Sequence, residues 1–433
     1  MLLGPLTLAL TAATATSTPD VEVYVREALD AHPDISATQQ RALAAQKRVE
    51  PAGAWDDPTL SVGIQNLPYD PFSLNATPMS GVKVGLAQRI PWPGKRALAE
   101  DTARAKSAAA EQNIEEQKLR LAAEVRTVYF DIHLLDVSKR VLETNLAILD
   151  RFIEVADAKY RVGNGLQRDV LRARVARAEL DEQLLGVERG RAARVETLRN
   201  LLARDDTLEV PPLLEVAISQ PRADLGEQRL LGRAENERPL LRALRHTIEG
   251  ATASAALADK AALPDIGVSL SYTFRGSAGG KDPANGADFL GLGISVPLPV
   301  FYGAKQGPAA EAARADEQAA REALRAARLE IRGEIARVLT ELPRLEAQMR
   351  KFSDDIIPTT QQTLEADLVA YQVDKVSFLD LLDVEMKLVR YQIDFHRLHV
   401  MHEQLIIRLA RVLGEQPADL ARPGAAAHLH GAH

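Results

Sequence analysis

The chain has 433 residues, enough for two or three ordinary domains. Only 4% are aromatic against 26% charged, a balance that favours long amphipathic helices over a compact core. A formal charge of −7, with no basic patch among aromatics, argues against a nucleic-acid partner, and the lack of cysteine excludes disulfides, thiolate metal sites and a lipid-modified N-terminal cysteine.

Residues 1–19 carry an apolar stretch and a small-residue cleavage pattern at Ala13-Thr14-Ala15, and read as a signal peptide. The first basic residue is Arg26, so the positive flank of such a signal is missing and a disordered terminus is the alternative. A helical run, Ile35 to Arg48, follows Pro33. A β-hairpin is expected over about 58–90: Leu60, Val62 and Ile64 alternate with Ser61, Gly63 and Gln65, and Val82, Val84 and Leu86 with Lys83, Gly85 and Ala87. Long helices are expected over about 94–203, because no proline occurs between Gly94 and Val210. There Leu121, Val125, Val128, Ile132 and Leu135, then Leu142, Leu146, Leu149 and Ile153, form an a/d seam for helices packed side by side. One helix from Gly94 to about Lys159 would be roughly 100 Å long. Gly163 and Gly165 then break the pattern, as the tip of a helical hairpin would.

The same text recurs. Pro33 returns as Pro239, Pro58 as Pro264 and Pro91 as Pro297, a constant spacing of 206 residues. Tyr160 to Leu171 returns as Tyr371 to Leu382 at a spacing of 211. Repeat 1 therefore occupies 20–210 and repeat 2 occupies 226–414, with 211–225 as linker and 415–433 as a histidine-containing tail. In repeat 2 a second hairpin spans about 265–297, where Ile266, Val268, Leu270, Tyr272 and Phe274 alternate with small or polar residues, and Leu290, Leu292, Ile294 and Val296 do likewise. Long helices follow over about 306–414, with seam residues Ile331, Ile335, Val338, Leu345, Met349 and Phe352. Asp374-Lys375-Val376-Ser377 forms the second tip.

The four strands admit two readings. They form a half-buried sheet with helices on its apolar face, or that face meets lipid while the polar face lines water. Trp55 and Trp92 sit at one end of the first hairpin, and Phe301 and Tyr302 at the matching end of the second, as an interfacial girdle would. Four strands cannot close a barrel and open edges are not tolerated in hydrocarbon, so membrane strands imply an oligomer. Three chains would give twelve strands and a pore.

Duplicated hairpins flanked by very long helices, with Gln88-Arg89-Ile90-Pro91-Trp92-Pro93-Gly94-Lys95-Arg96, Val296-Pro297-Leu298-Pro299-Val300-Phe301 and the two tip motifs, resemble the TolC family of outer-membrane efflux ducts. Ile-Pro-Trp-Pro-Gly-Lys looks most like the branch serving heavy-metal RND pumps, and the likeness runs over roughly residues 20 to 414. The resemblance implies a mainly α fold with a small β part: long antiparallel helical hairpins in an α-barrel, and four strands per chain in a trimeric 12-stranded transmembrane β-barrel. It implies a passive homotrimeric duct in the outer membrane that reaches into the periplasm of a Gram-negative cell. There it meets lipid, a periplasmic adaptor and an inner-membrane RND pump, and needs no cofactor.

It also implies a gate. Asp380 and Asp383 match positions that ring the closed periplasmic end, where crowded carboxylates favour cations. Asp169 and Tyr371 match a pair that links neighbouring helices and holds the tunnel shut. Arg172 replaces the second acid in repeat 1, and Asp374 replaces the usual tip glycine in repeat 2. Separately, His396, His399 and His402 recur along one helix and His428, His430 and His433 close the chain, both candidate metal-binding sets, although i, i+3, i+6 drifts around a helix. No nucleophile elbow, phosphate loop or H-E-x-x-H is present, so no enzyme is expected. The expected function is export of substrates, heavy-metal cations foremost. The alternatives are the same duct for drugs or type I secretion cargo, and a soluble coiled-coil scaffold.

Overall fold

Period-two and heptad-like segments fold as two kinds of element. The computed structural model of the chain describes residues 20–70, 72–74, 77–214, 220–221, 226–276 and 286–422. Residues 1–19, read as a signal peptide, and His428, His430 and His433 lie outside them. Helices α1 (Val21–Ala31), α2 (Pro33–Lys47) and α3 (Val49–Gly53) precede strands β1 (Thr59–Gln65) and β2 (Gly81–Ile90). Then come α4 (Lys95–Arg161) and α5 (Gln167–Leu201), a two-residue strand β3 (Gln220–Pro221), and helices α6 (Glu227–Glu237) and α7 (Pro239–Lys260). Strands β4 (Ile266–Arg275) and β5 (Phe289–Ser295) lead to α8 (Gln306–Lys351), α9 (Ile357–Gln372) and α10 (Phe378–Leu413).

Two compact units result, each drawing on both repeats. The unit built from 37–115 and 239–330 holds a fully antiparallel sheet of order β1-β2-β4-β5. The pairing lines up side chains across the two hairpins: Leu60, Leu86, Leu270 and Leu292 form one row, and Val62, Val84, Tyr272 and Leu290 the next. On the other face Ser61, Gly85, Ser271 and Gly291 form a row, as do Thr59, Ala87, Ser269 and Gly293. A single-residue slip would exchange these faces, so the alternating pattern fixes the register. The helix-covered sheet of the soluble reading would bury the apolar rows. Instead Leu60 is 68% exposed and Leu292 74% exposed in the single chain.

The unit built from 20–36, 116–238 and 331–422 is helical apart from the two-residue strands at Gln220–Pro221 and Ala421–Arg422. Lys139 meets Glu188 at 2.6 Å, Asp136 meets Arg191 at 2.5 Å and Asp150 meets Arg177 at 2.6 Å. As one number rises its partner falls, so α4 and α5 run antiparallel. The seam is the core: Leu121, Val125, Ile132, Leu142 and Leu149 are buried, as are Ile331, Ile335, Val338 and Leu345. The repeats part along their long helices. Proline-free α4 is continuous over 67 residues, whereas its counterpart splits into α8 and α9 around a π-turn at Phe352–Ile356. Pro358 stands in the first turn of α9, and its missing N–H ends the i to i−4 ladder there.

Candidate functional site

Each helical hairpin turns through one left-handed residue. In repeat 1 it is Gly163, at φ +80°, a conformation glycine reaches without steric cost. In repeat 2 it is Asp374, at φ +64°, where a short polar side chain is among the few tolerated alternatives. Lys159, near the end of α4, uses that side chain. Its Nζ donates to Asp374 Oδ1 at 2.5 Å and to the Tyr371 carbonyl at 2.6 Å, and lies 4.5 Å from the centre of the Tyr371 ring. One ammonium thus ties the tip of repeat 1 to the tip of repeat 2. Lys159 is only 14% exposed, whereas Asp374 is 66% exposed, so water screens the tie from the carboxylate side.

Tyr371 is buried, its ring 5.4 Å from that of Phe378. Burial raises its hydroxyl's pKa, and the carboxylates of Asp169 and Asp374 add to that. The structure therefore brings Asp169 and Tyr371 together. Asp380 and Asp383 open α10 on its exposed side. The Ser377 hydroxyl accepts from the Asp380 N–H at 3.3 Å and donates to its carboxylate at 2.7 Å, a reciprocal cap that fixes the helix start. Asp383 meets Lys387 at 2.5 Å, one turn on. Both residues are exposed at the surface of the single chain.

The three α10 histidines do not converge. His399 stacks at 4.4 Å on Phe395, while His402 Nδ1 lies 3.2 Å from Glu403 Oε1. Burial pushes the pKa of His396 and of His399 down to about 4, with neighbouring imidazoles adding to the effect, so both are neutral at pH 7. Among the described residues no three His, Asp or Glu side chains form a set able to hold a metal ion.

A second constellation sits where strands become helices. Asp265, immediately before β4, is buried and accepts from Lys95 Nζ at 2.8 Å, Arg89 Nε at 3.0 Å and the Trp92 N–H at 3.0 Å. Burial alone would raise its pKa, but these three donors outweigh it and hold the carboxyl at about 2. Arg96 lies 4.2 Å over the ring of Trp55 on the same side. The Pro-Trp-Pro-Gly-Lys turn of repeat 1 is thereby clamped onto the first strand of repeat 2.

Residues 24–204 and 230–415 each match the outer membrane efflux protein family. The chain belongs to that family. One matched block falls in each half of the chain. The cobalt-zinc-cadmium resistance protein CzcC of Cupriavidus metallidurans is 23% identical over 298 residues, 68% of each chain. Among solved structures, the outer-membrane channel OprN superposes with a TM-score of 0.78 at 17% identity, covering 92% of this chain and 90% of that one. CusC gives the same TM-score and identity over 92% and 93%. At such identity these two establish the fold: long helices with four antiparallel strands. No helix among the described residues is long and apolar enough to cross a membrane.

For an outer membrane efflux protein the tips and the sheet are the informative regions, and the sequence pointed to both. It missed Lys159, which stands among the charged residues of a helix face. It also missed Asp265, at the start of the second hairpin, and Glu385, three residues beyond the repeated segment that ends at Leu382. A charge beside a proline turn, as at Pro264-Asp265, was the one available signal for the clamp.

Proposed function

We propose that the protein is a passive outer-membrane duct that works as a homotrimer. Three chains pool their strands into twelve, and the helical tips form a gate at the periplasmic end. One observation carries this reading: the sheet presents bare apolar rows on one face, small and polar rows on the other, and β1 and β5 as edges with a single partner each. Such a sheet is stable in hydrocarbon only when its edges pair with further copies and close. An adaptor protein and an inner-membrane RND pump supply the cargo. Heavy-metal cations are the cargo favoured here, supported by the name of the CzcC relative and by six exposed gate carboxylates per trimer from Asp380 and Asp383. No chemistry is performed on the cargo; the duct contributes geometry and charge alone.

Detergent-purified protein reconstituted in planar bilayers tests this. A trimeric mass, single-channel conductance and cation selectivity that falls in Asp380→Ala/Asp383→Ala are expected. A monomer soluble without detergent, or a conductance whose cation block and selectivity ignore both aspartates, would overturn it.

A further inference from the structure

Among the described residues, Glu385 is the buried acid whose two carboxylate oxygens both lack a partner. It lies in α10 two residues beyond Asp383 and is fully buried. One turn to either side, Leu381 and Val389 belong to the core that α10 forms with Leu149 and Phe152 of α4, Ala173 and Leu180 of α5, and Tyr371 of α9. An ionised carboxylate in such a place, without donors or a counter-ion, costs several kcal/mol. It must be neutral or it must leave.

The charged groups of the surrounding elements are engaged elsewhere. Lys159 of α4 is bound to Asp374, and Asp150 of α4 to Arg177 of α5. Asp169 lies beside Arg168 and Tyr371, and on α10 itself Asp383 meets Lys387 while Asp380 is held by Ser377. None of them acts on Glu385: burial alone raises its pKa, to about 7. Nor does the repeat dictate an acid there. At the 211-residue spacing its counterpart is Arg174, which is exposed.

We propose that Glu385 is a proton-operated element of the tip: neutral, it packs in the core and holds the α9–α10 hairpin closed, and ionised, it withdraws toward water and favours the open arrangement. The proton passes to bulk solvent, and no other co-reactant is required. The inference deepens the gating role proposed for the tips and rests on it. The closed state would therefore be favoured in acid, and opening would rise with pH across neutrality.

The test compares the purified trimer with Glu385→Gln, which keeps the shape and cannot ionise. Between pH 6 and pH 8 the open-to-closed ratio in planar bilayers should rise about tenfold for each Glu385 that ionises on opening, as expected for a group near 7 when closed and near its ordinary value when open. It should stay flat in Glu385→Gln, and in Glu385→Leu as a second variant should the amide fold poorly. An unchanged pH response in the variants, or none in the native trimer, would overturn the proposal. Hydrogen exchange of amides 372–390, corrected for intrinsic rate, reads the same event without any current. Exchange that quickens with pH only when Glu385 is present supports the switch even if the protein conducts nothing, in which case the duct reading alone fails.

Discussion

Asp265→Asn keeps the shape of a buried carboxylate and deletes the charge that Lys95, Arg89 and the Trp92 N–H all address. The carboxyl titrates at about 2 rather than 3.8 because those donors outweigh the cost of burial. At 1.36 kcal/mol per tenfold, that difference favours the ionised form by about 2.4 kcal/mol. Lys95, 15% exposed, cannot recover the loss from water, whereas Arg89, 66% exposed, recovers much of its share. A net loss of about 2 kcal/mol is therefore expected, roughly 2 °C in the melting of the purified protein at pH 7. The sign in acid is fixed as well. A carboxyl lowered by folding stabilises fully above its ordinary 3.8, and that contribution fades as pH falls from 3.8 through about 2. The native protein should lose this increment over that window and Asp265→Asn should not. A cycle with Lys95→Met should return a coupling of about 1 kcal/mol or more. Equal melting of native and Asp265→Asn at pH 7, or strictly additive single and double variants, would refute the clamp.

Two further outcomes follow from the sheet and from the tip. Leu292→Lys, on the apolar face of β5, should cost roughly 2–4 kcal/mol if that side chain meets lipid and should abolish recovery of trimer from the outer-membrane fraction. Ser269→Lys, on the opposite face of β4, should assemble normally and alter conductance; equal recovery of both variants would contradict the facing assigned to the strands. Lys159→Met should raise the resting conductance by loosening both tips at once. Asp374→Gly suits the left-handed turn better yet should raise it too, so a tighter closure in that variant would show that backbone strain, not the ion pair, governs the tip.

What the sequence made legible was whatever has a short period. Strand faces follow from alternation, because register leaves only two choices, and the helical seam follows from steps of three and four, because a helix presents one stripe. The joint at Pro358 was less visible: its effect on α9 depends on whether a helix already runs through the position, and the long helices expected over about 306–414 were broken only at 374–377. Contacts between the repeats were not legible at all. Lys159 and Tyr371 are separated by 212 positions, and neither end carries a motif that names the other. Glu385 stands four residues after Leu381 and three before Leu388, on the buried stripe, but an acid there reads like any other in a helical charge pattern.

The duplication gains its meaning from that cross-contact. Lys159 is matched in repeat 2 by Ala370, and Asp374 is matched in repeat 1 by Gly163. The tie can therefore form in one direction only: the cation comes from repeat 1 and the anion from repeat 2, and the reciprocal pair has neither side chain. The same one-sidedness sets buried Glu385 against exposed Arg174 and Asp383 against Arg172. The strands had no such freedom, because Leu60 and Leu292 must stay in one row with Leu86 and Leu270 for the sheet to keep a single apolar face. A fold made of two equal halves thus carries its unequal chemistry at the tips, where no pairing rule forces the copies to agree. For the duct proposed above, that is where an asymmetric element is needed, since the proposed gate must respond to a partner or a proton from one side.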